Sequence, residues 1–417
     1  MLHQVTTLGE PLYPSPLHRF VSEDLFVPEH IIHGLPAPPE ESLFELAGPR
    51  AQLFFDPQQT RAGIVTCGGL CPGLNNIIRS LVYELWHAYG VKEVLGFRGG
   101  YQGLDPAHGE QPLRLTPDFV NDIHRQGGTI LGTSRGMVDK LAAVENLARL
   151  GVNILFTVGG DGTQRGGHEL FRTARQRGHA LAVVGIPKTV DNDVAFVSRT
   201  FGYLTAVQEA SFVLDRAHME ARSVRNGIAL VKVMGRHAGF IAAGATVASQ
   251  DVNFCLVPEV PFALESFLPA LKQRIVQRAH AVIVVAEGAG QELLPHAGTD
   301  CDASGNAKLG DIGSFLRDKI EAYFQAQKIP VSMRYFDPSY FIRSGRANSE
   351  DSILCDLFAR HAVHAAMAGK TGLVIGLLHD EFIHVPIELL VSRHKSMDPA
   401  GSIWSGALAA TGQPERL

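Results

Sequence analysis

From Arg61 onward the chain alternates short β-branched apolar runs with amphipathic stretches, and glycines gather where the apolar runs end. The runs Gly63–Thr66, Glu93–Phe97, Asn153–Val158, Ala180–Ile186, Gly227–Val233, Asn253–Val257, Ala281–Ala286 and Gly372–Leu378 read as strands. Between them Leu74–His87, Lys140–Leu150, Gly166–Gln176, Phe262–Ala279 and Ser349–Met367 read as helices. Such alternation builds βαβ units, with parallel strands covered by helices on both faces. In sheets of this kind ligands bind beyond the carboxyl ends of the strands, which is where the glycines fall. The expected fold class is α/β with mainly parallel sheets.

Composition limits the function without selecting it. The 417 residues are 45% apolar and 19% charged, enough to bury a sizeable core and to form two or three domains. A formal charge of −5 argues against nucleic acid or a polybasic membrane contact, while leaving anionic small molecules open because local arginines decide that. Five cysteines do not make a disulfide framework. Cys67 and Cys71 have zinc-like spacing but no second pair follows, and the eighteen histidines show no paired metal spacing. The start of the chain lacks the charged head and apolar stretch of a secretory leader, and no apolar run reaches the roughly 18 residues of a membrane span. A reducing, cytoplasmic setting is expected. Residues 1–60, proline-rich at Pro36, Pro38 and Pro39, read as an extension wrapping the core.

Three strand ends carry chemistry. The first reads Thr66-Cys67-Gly68-Gly69-Leu70-Cys71-Pro72-Gly73-Leu74-Asn75. Glycines there let backbone approach an anion ahead of a helix N-terminus, although a plain tight turn would serve as well. It matches neither GxGxxG nor the lysine-bearing phosphate loop. The second reads Val158-Gly159-Gly160-Asp161-Gly162-Thr163-Gln164, where glycines bring backbone to phosphate and Asp161 offers oxygens to Mg²⁺. Asp161 as a mere helix N-cap is the alternative, and it leaves the glycines unexplained. The third ends in Pro187-Lys188-Thr189-Val190-Asp191-Asn192-Asp193. Two carboxylates two residues apart suit phosphoryl transfer, one accepting a hydroxyl proton and the other holding metal; an Asx-rich turn is the plainer reading.

With Met234-Gly235-Arg236-His237-Ala238-Gly239-Phe240 added, the four motifs in this order resemble the phosphofructokinase family, over about Arg61 to at least Gly372. NAD kinases and lipid kinases share the GGDG string but lack the third and fourth motifs. The resemblance implies two similar Rossmann-like domains with the active site in the cleft between them. The boundaries it suggests are an N-terminal extension at 1–60, a nucleotide domain at 61–202 resumed at 342–392, a fructose 6-phosphate domain at 203–341, and a C-terminal extension at 393–417. It implies that Asp191 takes the proton from the sugar 1-hydroxyl, that Asp161 binds Mg²⁺ with support from Asp193, and that Thr189 bonds the transferring phosphoryl group. Gly68, Gly160, Gly162 and Thr163 would line the nucleotide phosphates, and Arg135 would neutralise charge developing between them. Met234, Gly235 and Arg236 would contact the sugar phosphate and Glu287 a sugar hydroxyl. Arg334, Tyr340 and Arg343 would bind the 6-phosphate, where guanidinium geometry fits; otherwise Arg334, Arg343 and Arg346 are a solvated basic face. Bacterial relatives take the counterpart of Arg334 from a neighbouring subunit, so a homo-oligomer, usually a tetramer, is implied.

The implied activity is phosphorylation of fructose 6-phosphate in glycolysis, and the phosphoryl donor is its open part. In pyrophosphate-dependent relatives an aspartate typically stands where this chain has Gly162, which points to ATP. Lys188 is typical of pyrophosphate users. The mixture resembles the ATP-dependent plant and trypanosomatid enzymes, as do Phe54-Phe55-Asp56-Pro57, Val252–Glu259 and Trp404 with Thr411-Gly412-Gln413-Pro414. A pyrophosphate-dependent enzyme stays as the alternative, and beyond it a non-catalytic sugar-phosphate-binding subunit. Retention of Asp161, Thr189, Asp191 and Asp193 speaks against the latter.

Overall fold

The structure is a computed structural model that describes residues 1–32, 41–134, 136, 138–294 and 308–417. In chain order its principal strands are β1 (Arg61–Thr66), β2 (Glu93–Phe97), β3 (Ile154–Gly159), β4 (Ala182–Pro187), β5 (Gly227–Val233), β6 (Phe254–Leu256), β7 (His280–Ala286), β8 (Ser332–Phe336), β9 (Leu373–Leu378) and β10 (Glu381–Pro386). The helices used below are α1 (Leu74–Tyr83), α2 (Asp161–Gln176), α3 (Tyr203–Arg222), α4 (Phe240–Ser249), α5 (Ser339–Ser344), α6 (Ser349–Met367) and α7 (Ser402–Thr411). The chain divides into two compact units. One holds Met1–Thr189, Val194–Gly202 and Gly345–His394, and the other Val190–Asp193, Tyr203–Ser344 and Lys395–Leu417.

In the first unit the parallel strands run in the order β2-β1-β3-β4-β9, with β10 antiparallel beside β9. Every residue of β3 and β4 is buried, as a parallel strand covered on both faces requires. The chain leaves β1 for β2 on one side and then returns to β3 on the other. That reversal puts a switch point between the carboxyl ends of β1 and β3, the two glycine turns. On one face α1 packs against α6, and its Ile77, Ile78 and Leu81 are each fully buried, a burial that contributes about 1.5–3 kcal/mol per side chain. The helix expected over Leu74–His87 changes character at Glu84, where a π-helical turn runs to Ala88.

The described residues of 1–60 are built into this unit. Leu43–Leu46 pairs antiparallel with β10, and Phe26–Pro28 and Leu2–His3 add beyond it. A buried ionic group fastens them. Glu45 Oε1 lies 2.6 Å from Arg50 Nη2, 2.6 Å from Lys370 Nζ and 3.2 Å from His384 Nδ1. Burial alone would raise the Glu45 carboxyl, but His384 and Lys370 hold it far below the usual range.

The second unit has one parallel sheet, β6-β7-β5-β8. Its core joins Leu230, Leu256, Ile283, Val285, Phe267 and Phe324, and Leu417 reaches it. Residues 395–417 belong here: α7 packs on α4, and the Gln413 side chain bonds both N–H and C=O of Cys255. Among the described residues no helix is long and apolar enough to cross a membrane.

Candidate active site

The first unit gathers its groups at the β1/β3 switch point. Thr133 Oγ1 donates to Gly68 O at 2.5 Å, and Gly68 N–H donates to Ser134 O at 3.1 Å, so the first glycine turn is strapped to residues 133–134. Arg135, which follows, lies outside the described residues. Lys188, after β4, donates from Nζ to Gly69 O at 2.5 Å. After β3, Gly160 is the N-cap, with extended backbone, and Asp161 is the first helical residue of α2. The helix thus begins five residues ahead of the expected Gly166, because the amphipathic period does not register a polar first turn. It also removes the reading of Asp161 as the cap, and sets Asp161, Gly162 and Thr163 in the first turn, where the helix dipole favours anions.

Two observations separate structural from unexplained glycine. Gly235 has φ +126°, and a Cβ there would come 2.6 Å from Ala238 O, so only glycine fits. Among the described residues a Cβ at Gly162 would meet nothing within 4 Å, and its φ is not in the left-handed region. The fold does not need glycine at 162.

Gln164 holds the strand ends together and carried no signal in the sequence. Its Nε2 donates to Gly159 O at 2.8 Å and to Ile186 O at 3.3 Å. Tyr101 Oη donates to Thr163 O at 2.5 Å. Thr189 O accepts from Thr200 Oγ1 at 2.8 Å. His394 Nδ1 lies 3.3 Å from Asp161 Oδ2, a contact between residues 233 positions apart that no local pattern reveals.

The second unit places its groups at the carboxyl ends of β5, β7 and β8. Asp191 Oδ2 accepts from the Arg236 backbone N–H at 3.4 Å. Burial first, then Asp193 and Glu287, push the Asp191 carboxyl up to about 8, against the pull of Arg236. Glu287 N–H donates to Val233 O and Gly288 N–H to Gly235 O, at 2.9 and 3.0 Å, which locks the β5 and β7 ends side by side. Burial also raises Glu287, with Arg236 and Lys232 opposing. Met234 is buried beside them. Lys232, unremarked in the sequence, pairs with Asp337 at 2.8 Å and Asp311 at 3.5 Å. Lys395 donates its N–H to Asp193 O at 3.3 Å, and burial lowers its ammonium to about 8 with Asp193 opposing.

The three residues expected at the sugar phosphate divide. On α5, Arg343 stacks over the Tyr340 ring at 4.4 Å. Arg334 sits on edge strand β8 with its guanidinium 3.9 Å from Glu220, on the outer side of α3. Cys67 is buried, which pushes its thiol up to about 12 and makes it inert as a nucleophile or metal ligand. Among the described residues no group of three His, Cys, Asp or Glu could hold a metal unaided. Mg²⁺ does not need one, since it takes one or two carboxylates and completes its shell with phosphate oxygens and water. The hard oxygens of Asp161, at a helix start that favours phosphate, fit that demand.

Residues 61–366 match the phosphofructokinase family. The ATP-dependent 6-phosphofructokinase of Borreliella burgdorferi is 48% identical, over 90% of this chain and 86% of its own. ATP-dependent 6-phosphofructokinase 1 of Arabidopsis thaliana is 42% identical, over 97% and 88% of the two chains. The ATP-dependent 6-phosphofructokinase of Trypanosoma brucei brucei is 44% identical, over 94% and 83%. Among solved structures, a pyrophosphate-dependent phosphofructokinase from Marinobacter aquaeolei superposes with a TM-score of 0.70 at 20% identity, covering 85% of this chain and 91% of its own, which establishes the fold alone. The α/β architecture with two mainly parallel sheets, the ordered motifs and the relatives agree: the chain belongs to the phosphofructokinase family.

Proposed function

We propose that this chain is an ATP-dependent 6-phosphofructokinase, which moves the γ-phosphoryl group of ATP to the 1-hydroxyl of fructose 6-phosphate in glycolysis. The observation that carries the reading is Asp191, a carboxylate pushed up to about 8 and held by the Arg236 N–H, beside Glu287. A carboxylate raised in this way is, once ionised, a stronger base toward a hydroxyl than an ordinary one. Arg236 and Met234 with Gly235 bind the sugar phosphate, Glu287 takes a sugar hydroxyl, and Tyr340 and Arg343 receive the 6-phosphate. Thr189 and the first turn of α2, with Gly68, Gly160, Gly162 and Thr163, take the donor phosphates, joined by Arg135. Asp161, supported by Asp193, would hold Mg²⁺, which neutralises phosphate charge when bound.

The space at Gly162 supports ATP as donor, since no described residue fills the volume that a side chain would take. Lys188 favours pyrophosphate as the second reading, because it brings a cation to the first glycine turn. The outward-facing Arg334 suits a composite site in a homo-oligomer, and a tetramer is the proposed assembly. Cys67, Cys255 and Cys355 are buried, unbridged cysteines, in keeping with a cytoplasmic home.

The test of the base is Asp191→Asn. Turnover on fructose 6-phosphate should fall about 10²–10⁴-fold while calorimetric binding of the sugar phosphate persists. Retained turnover would remove Asp191 from the chemistry, and a wild type that binds but never turns over would favour the non-catalytic subunit.

A further inference from the structure

We propose that His394 is a positioning residue for the Asp161 carboxylate, and that Arg393 and the N-terminal segment hold His394 in place. The inference rests on the reading of Asp161 as a donor-site residue.

His394 Nδ1 lies 3.3 Å from Asp161 Oδ2 although the His394 side chain is 69% exposed, so core packing does not explain the contact. The backbone is fixed there by an antiparallel bridge between His394 and Val194, which follows the Asp191–Asp193 stretch directly. One residue earlier, Arg393 Nη1 lies 2.7 Å from Glu29 Oε1, and its guanidinium covers the Phe196 ring at 5.2 Å. The Phe196 ring packs on Phe44 at 5.0 Å, and its backbone is in the left-handed region at φ +59°, held by a bond from Leu377 N–H to Phe196 O. Glu29 is steadied in turn, because the His379 imidazole Nε2 lies 3.2 Å from both Pro28 O and Glu29 O. Glu29 and Phe44 both come from residues 1–60. The line from Glu29 through Arg393 and His394 to Asp161 therefore joins the N-terminal segment to the first turn of α2.

A short carboxylate at a helix start has several rotamers. An imidazole whose Nδ1 carries the proton donates to one oxygen and narrows that choice before a ligand arrives. The gain is pre-organisation, of the kind by which outer partners orient metal-binding groups and whose loss typically weakens binding about 10–100-fold. The contact also assigns residues 1–60 a role that reaches the site without touching a substrate.

The experiment is calorimetric binding of Mn²⁺·ATP, and separately of fructose 6-phosphate, to the purified full chain. His394→Ala should weaken Mn²⁺·ATP about 10-fold, and His394→Asn, which keeps a donor near the Nδ1 position, should restore binding to within about threefold. Glu29→Ala should weaken it in the same direction, yet add nothing in the double variant with His394→Ala. Fructose 6-phosphate binding and Tm should stay unchanged in each. Equal Mn²⁺·ATP binding by wild type and His394→Ala, or losses that simply add in the double variant, would overturn the proposal. So would parallel losses in sugar-phosphate binding, which mark a general structural effect. If the wild type does not bind Mn²⁺·ATP at all, the donor-site reading falls, and this one with it; if it binds and the variants match it, only this one falls.

Discussion

In the proposed function Gly162 and Lys188 are the residues on which the choice of donor would turn, and they differ in what the surrounding protein asks of them. Lys188 is engaged with the Gly69 carbonyl, a contact a flexible side chain can exchange. Gly162 has no such partner: among the described residues none lies within 4 Å of where a Cβ would be, and its backbone φ is not in the left-handed region. Gly162→Asp should therefore fold normally, with Tm unchanged within a few degrees. A carboxylate set among phosphates adds a like-charge penalty of several kcal/mol, so kcat/KM for ATP should fall on the order of 100-fold or more while KM for fructose 6-phosphate holds. Unchanged kcat/KM for ATP would show that the donor phosphates do not approach residue 162. The glycine- and aspartate-bearing turns at the ends of β1, β3 and β4 were legible in the sequence because strand-end turns are local. Gln164, Lys232, His394 and Lys395 were not. Gln164 acts through carbonyls on two strands and Lys232 through Asp311 and Asp337, partners that only the folded chain brings near.

At the scale of elements, α6 shows how a helix can carry a pH limit. Its inward face holds His361, stacked on the Phe382 ring at 4.4 Å, and His364, whose Nδ1 lies 2.8 Å from Tyr89 Oη. Burial lowers them to about 4 and about 3 from an ordinary 6.5. Since the folded values lie below the unfolded one, the unfolded chain binds more protons in between. Stability is then full above about pH 6.5 and lost as pH falls towards 4 and 3, by about 1.4 kcal/mol per pH unit for each histidine. Glu84, raised by burial, works in the opposite sense above its ordinary carboxylate range, where its stabilisation is lost as pH rises. Denaturant titrations at pH 7, 6 and 5 should show the decline, and His364→Gln should remove about half of its slope. A slope unaltered by that change would mean His364 is protonated in the fold. The element pattern itself was readable from β-branched runs and amphipathic periods. The start of α2 escapes the amphipathic pattern because its first turn is polar and glycine-bearing, with no apolar face.

For the molecule as a whole, the alternation of strand and helix announced parallel sheets, and the relatives fix the family. What alternation cannot announce is strand order, since the reversal that makes a switch point between β1 and β3 depends on which side of β1 the later strands join. Nor could it show that residues 1–60 extend a sheet, because Leu43–Leu46 is too short to display a period. Both follow from pairing at long range, as does the linkage of Glu45 to Lys370 and His384. The central claim is that these parts serve transfer from ATP to a sugar phosphate. The most direct test is steady-state turnover of the purified chain on fructose 6-phosphate and Mg²⁺, with ATP and pyrophosphate offered separately. Turnover with ATP and none with pyrophosphate is the predicted result. Turnover with pyrophosphate alone would contradict it, and would mean that Lys188 outweighs the open space at Gly162.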